Sequence, residues 1–151
     1  MPETFFSEQE QETIIEAIRS AEAQTNGEIR VHLEATCSGD AYQEAVDWFG
    51  KLGMHETEAR NGVLIFVAYQ DHKLAIVGDK GIHEKVGDNF WQAEKDLMVE
   101  YFKQGKYTEG LCLAIRDMGE KLQSYFPKTK NNPNELSDDL SFGKPEGGSD
   151  D

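Results

Sequence analysis

The chain has 151 residues and sets 29 Asp and Glu against 15 Lys and Arg, for a net charge of -14. That length holds one domain with a full hydrophobic core and is too short for two ordinary ones. Such a surface repels nucleic acid and anionic lipid, which argues against both as direct partners, and it attracts divalent cations where carboxylates converge, although solubility alone accounts for the charge equally well.

The first seven residues lack a basic segment followed by an apolar one, so no signal peptide is expected. The longest apolar run, 63–69, falls far short of the ~20 residues that span a bilayer, so no membrane insertion is expected. Cys37 and Cys112 stand apart without CxxC spacing and read as reduced thiols. The expected compartment is the cytoplasm and the expected state a monomer.

Ser7 and Glu10 form a capping-box pattern ahead of a helix with Ile14, Ile18 and Ala21 on one stripe. Asn26 and Gly27 end it. Residues 28–35 alternate, with Ile29, Val31 and Leu33 on one side and Arg30, His32 and Glu34 on the other. This is a strand with one polar face, or an edge strand. Asp40 caps a second helix carrying Ala45, Trp48 and Phe49 inward. Residues 62–69 are apolar without alternation, the pattern of a central strand buried on both faces, and a tight turn at 70–73 leads into a hairpin partner at 74–77.

The helical period returns after Gly81. Asp88 is placed to cap a segment burying Leu97, Met98 and Phe102, and a last helix carries Leu111, Ile115, Met118 and Leu122 up to Pro127. Gly110 and Gly119 inside it suggest close approach to neighbours. From Asn131 onward, six acids, one lysine and few large apolar residues read as disorder. The expected organisation is one domain over 1–127 and an acidic tail over 128–151. The expected fold is α/β, a three-layer α/β/α sandwich around a small mixed sheet of three to four strands with helices on both faces.

In that topology the first two strands run parallel and the third runs back, so loops from distant parts of the chain meet at one end of the sheet. These are 25–28, 60–62 and 78–81. Glu28, Asn61, Asp79 and Asp88 then supply oxygen donors of the kind calcium needs, while Lys80 and Arg60 compete for the same carboxylates. The same residues also read as structure: Asp79 a turn, Asp88 a cap, and Arg60 an ion pair with Glu28 or Asp79. Glu34, Thr36, Ser38, Asp40 and Asp71 occupy the opposite end. The four histidines are scattered and read as surface residues. No phosphate-binding loop, dinucleotide fingerprint, HExxH, GxSxG or EF-hand loop is present.

Four strings in order resemble the TPM domain family: NGEIRV at 26–31, RNGVLIFVA at 60–68, AIVGDKGI at 75–82 and FKQGKYTEGL at 102–111. The resemblance runs from about residue 8 to residue 126. It implies an α/β/α sandwich of Rossmann-like appearance, a calcium site as in some members, and the acid phosphatase activity proposed for a plant member. Many relatives are secreted or carry a membrane helix, and this chain is expected to depart from them there. The expected function is a calcium-binding accessory module in protein assembly or maintenance, with an unidentified protein partner such as a membrane-bound relative. The alternative is a metal-dependent phosphatase with Asp79 or Asp88 as base or nucleophile and Lys80 or Arg60 holding phosphate.

Overall fold

A computed structural model describes residues 5–87, 89–129 and 140–143. Helix α1, Glu8–Glu22, opens on the capping box: the Glu10 amide donates to Ser7 Oγ at 3.1 Å and the Ser7 amide to Glu10 Oε1 at 2.9 Å. It buries Ile14, Ile18 and Ala21. Strand β1, Glu28–Glu34, leads to α2, Ala41–Lys51, where the Gln43 amide donates to the Asp40 carboxylate at 2.9 Å. Strands β2, Gly62–Ala68, and β3, Lys73–Gly78, form the hairpin, and every residue of β2 is buried. Helices α3, Lys80–Val86, α4, Gln92–Lys103, and α5, Tyr107–Tyr125, follow, and a short strand β4, Leu140–Phe142, comes last.

The sheet order is β3-β2-β1-β4, with β1 parallel to both β2 and β4 and with β3 antiparallel to β2. One face, carrying Ile29, Val31, Val63 and Ile65, packs on α1, α4 and α5; the other, carrying Leu64, Phe66, Ala75 and Val77, packs on α2 through Ala45 and Phe49. Helices therefore cover both faces of a mixed sheet, the expected sandwich. Gly119 lets α5 approach α1, since a Cβ built there would lie 2.7 Å from the Ala21 Cβ. No helix among the described residues is long and apolar enough to cross a membrane.

The reading of 128–151 as a disordered tail needs correction at 140–142. Those residues pair in register with Val31, His32 and Leu33, and Leu140 is buried in the larger core. Three apolar residues spread over a polar segment carry no periodicity strong enough to announce a strand; the open edge of β1 supplies the partner that composition cannot show. The alternation of β1 has a related origin. Helix α2 packs over β2 and β3, which leaves the α2-facing side of β1 to polar side chains although the strand is central.

Candidate functional site

Strands β1 and β2 begin, and β3 ends, at one rim. Backbone bonds lace the three segments together: the Glu28 amide donates to the Asn61 carbonyl at 3.1 Å, and the Asp79 amide to the Gly62 carbonyl at 2.9 Å. The Asn61 side-chain amide donates to the Asn26 carbonyl at 3.0 Å, and the Asn61 backbone amide to Thr57 Oγ1 at 3.1 Å. Glu28 and Asn61 are each 3% exposed and Asp79 is 5% exposed. Asn61 Oδ1 is buried and has no hydrogen-bond partner. An orphaned carbonyl oxygen costs about 1–3 kcal/mol, so its persistence at a rim of carboxylates is informative.

Asp79 has a double duty. It caps α3, accepting from the Lys80 amide at 2.7 Å, and it takes the Arg60 guanidinium in a two-pronged pair, Nε to Oδ2 at 2.8 Å and Nη2 to Oδ1 at 2.9 Å. The hydrogen bond first, and the charge second, hold the Arg60 guanidinium above its ordinary pKa. Arg60 has a φ of 52°, a left-handed conformation uncommon for a side chain of its size. The fold overdetermines that strain, because the Arg60 carbonyl also accepts the Gly81 amide at 2.9 Å.

The expected residues are thus placed as follows. Glu28, Asn61 and Asp79 meet at one rim; Arg60 closes over Asp79; the Lys80 side chain is exposed; Asp88 lies outside the described residues. Among the described residues no three His, Cys, Asp or Glu side chains converge. In donor chemistry the Asn61 oxygen suits a hard cation, as carboxylates do in general, and Asp79 is paired with Arg60.

At the opposite rim the acids serve the backbone. Asp40 caps α2, and Asp71 accepts the Cys37 amide at 2.7 Å. Thr36 and Ser38 are exposed.

Between the rims, His32 corrects the reading of the histidines as surface residues: it is fully buried. Its Nε2 lies 2.8 Å from Glu34 Oε2, its Nδ1 2.7 Å from Ser141 Oγ, and its ring stacks 3.9 Å from Trp48. An ionised carboxylate only accepts, so in the neutral ring Nε2 carries the proton and Ser141 donates to Nδ1. This cluster ties β4 to β1. Its only signal in the sequence was His32 on the polar side of an alternating strand; Ser141 stands 109 residues away in the supposed tail.

Residues 2–121 match the sequence profile described as TPM domain. The chain belongs to the TPM domain family. No curated protein matches. Among solved structures, this TPM domain is similar to the BA42 protein from the psychrophilic bacterium Bizionia argentinensis, at 43% identity over 92% of this chain and 96% of that one, with a TM-score of 0.86. The N-terminal domain of a P. gingivalis protein shares the fold at 18% identity and a TM-score of 0.64, covering 80% of this chain and 78% of that one. The N-terminal domain of a Corynebacterium glutamicum protein does so at 12% identity and 0.61, covering 89% and 79%.

The two thiols of this TPM domain are free; Cys37 is buried, and burial pushes the Cys112 thiol up, away from the reactive thiolate.

Proposed function

We propose that this TPM domain is a calcium-binding accessory module that serves a protein partner in assembly or maintenance. Glu28 and Asn61 are the resident oxygen donors, Asp79 a third, and Asp88 joins the set by its place in the sequence. The observation that carries the reading is Asn61: its side-chain oxygen is buried at the rim and accepts no hydrogen bond. Calcium gathers six to eight oxygens in a flexible shell, and backbone carbonyls at the glycine-containing loops add to the side chains. Arg60 is then the counter-ion the cation displaces, and binding is an exchange of guanidinium for metal at Asp79.

The exchange makes a prediction that simple acidity does not. Calcium titrated into the metal-free full chain is expected to move the amide resonances of 26–28, 60–62 and 78–81. Glu28→Gln and Asn61→Ala are each expected to weaken binding about tenfold, and Arg60→Gln to tighten it by a similar factor, since a competing charge is removed. Resonance shifts confined to residues outside the rim, or an Arg60→Gln chain that folds normally and binds more weakly, would sink the reading.

The phosphatase alternative draws on Asp79, Asp88, Lys80 and Arg60. Asp79 accepts three hydrogen bonds from Arg60 and the Lys80 amide, which leaves it a poor base or nucleophile, and no observation favours that reading over cation binding.

A further inference from the structure

Strand β3 lies at the edge of the sheet. The bond from the Asp79 amide to the Gly62 carbonyl, with the register Leu64↔Val77 and Phe66↔Ala75, fixes which residues face β2. In an antiparallel ladder the hydrogen-bonded residues alternate, so Leu74, Ile76 and Gly78 turn their N–H and C=O groups outward. Among the described residues none of these six groups has a hydrogen-bond partner. The 74–78 stretch is uncharged and carries neither proline nor bulge, two devices that commonly blunt an edge.

The outward edge is the floor of a trough. Two adjoining cavities run along it, of about 500 Å³ beside Leu74 and about 310 Å³ beside Ile76 and Gly78, with Lys95 of α4 shared by both. Val67, Val99 and Phe102 make the wall of the first apolar, whereas the second is more polar, with His83 and Lys95 beside Ile82, Val86 and Trp91. The charges are the reverse of the molecule's. In a chain of net charge -14, Lys73, Lys95 and Lys103 line the trough with His72 and His83, and among the described residues the one acid in the lining is Asp96. The Lys73 ammonium donates to two neutral carbonyls, of Cys37 and Gly39, both at 2.8 Å, and forms no ion pair with a carboxylate among the described residues.

From these features we infer that the β3 edge is a docking site for an extended acidic peptide, which adds to the sheet as a fifth strand. Its backbone satisfies the six outward groups, alternate apolar side chains enter the trough, and its carboxylates face Lys95 and Lys103. Strand addition draws affinity from main-chain bonds and specificity from alternate side chains, and the lysines select against basic segments. The inference gives the chemistry of the partner in the accessory-module reading; it rests on that half of the reading and is independent of the cation.

The experiment uses the full chain and a fluorescent eight-residue peptide alternating valine and glutamate. A valine–lysine peptide of the same length and a version N-methylated at alternate amides serve as controls. The valine–glutamate peptide is expected to bind at least tenfold more tightly than either control, to weaken as salt rises, and to slow hydrogen exchange at Leu74, Ile76 and Gly78. Lys95→Glu with Lys103→Glu, the first half-buried and the second exposed, is expected to lower its affinity at least tenfold, with an unchanged circular dichroism spectrum and urea midpoint as the check on the fold. Equal binding of the three peptides, or protection appearing at β4 instead, would overturn the inference. So would concentration-dependent dimerisation that the peptide does not reverse, because the occupant would then be a second copy. Runs in chelator and in calcium keep the two readings apart: peptide binding that persists while the calcium titration fails removes the metal site and leaves the groove.

Discussion

Gly81→Ala is expected to be the most damaging small substitution in the protein, lowering stability by roughly 3–5 kcal/mol. A Cβ at that position would stand 2.2 Å from the Ala59 carbonyl oxygen and 2.7 Å from that of Arg60. Both neighbours are backbone, so relief requires the 59–60 segment to move away. That movement breaks the bond from the Gly81 amide to the Arg60 carbonyl, pulls Arg60 off Asp79 and frays the first turn of α3. Against a typical total of about 5–15 kcal/mol, the loss takes roughly a fifth or more of the stability. Urea unfolding followed by circular dichroism measures it as a lower midpoint at unchanged slope. Gly50→Ala supplies the contrast: a Cβ there meets nothing within 4 Å, on the exposed side of α2, and the change is expected to raise stability by about 0.5–1 kcal/mol. If Gly81→Ala unfolds at the wild-type midpoint, the close approach of the two loops is wrong, and with it the geometry of the rim.

Removing the partner of a buried charge comes next in size. Lys121→Met is expected to cost about 3–5 kcal/mol, because it strands the Glu94 carboxylate between α4 and α5. Glu94 is 2% exposed, and Lys121 Nζ lies 2.9 Å from its Oε1 and 2.7 Å from the Phe90 carbonyl. The Lys121 ammonium also lies over the Phe90 ring, 4.7 Å from its centre, a cation–π contact that methionine does not replace although it keeps an unbranched apolar side chain. Glu94→Gln combined with Lys121→Met is expected to recover most of the loss, since no uncompensated charge is left inside. The double-mutant cycle therefore reads the penalty of the stranded carboxylate apart from lost packing. A single Lys121→Met costing under about 1 kcal/mol would mean that solvent already screens the pair, as it does at surfaces.

These two sites bracket the candidate rim and the groove. Gly81 secures the loop that carries Arg60 and Asn61, and the Glu94–Lys121 pair fixes α4, whose Lys95 and Val99 form one wall of the trough. An undamaged fold in the variants chosen for the calcium and peptide experiments is thus checked by the same urea midpoints.

Where local physics is strong, the chain was legible without coordinates. The capping box at Ser7, the Asp40 cap and the apolar run of β2 are decided by neighbours within a few residues, and all appear as expected. The parallel β1–β2 pair and the reversed β3 follow from connection length, and they bring Glu28, Asn61 and Asp79 to one rim. Three things were out of reach. Ser141 reaches His32 only because the open side of β1 captures a polar segment far along the chain. Glu94 and Lys121 look like solvent-facing residues until two helices close on them. The choice between Arg60 pairing with Asp79 and Asp79 standing ready for a cation is made by one left-handed residue and one glycine contact. Propensity, capping and hydrophobic period are local, so the elements, their order and the mixed sheet can be read from the residues alone. Which charges are buried, which are paired and which strand edge stays open depends on what long-range packing removes from water, and that emerges with the folded chain.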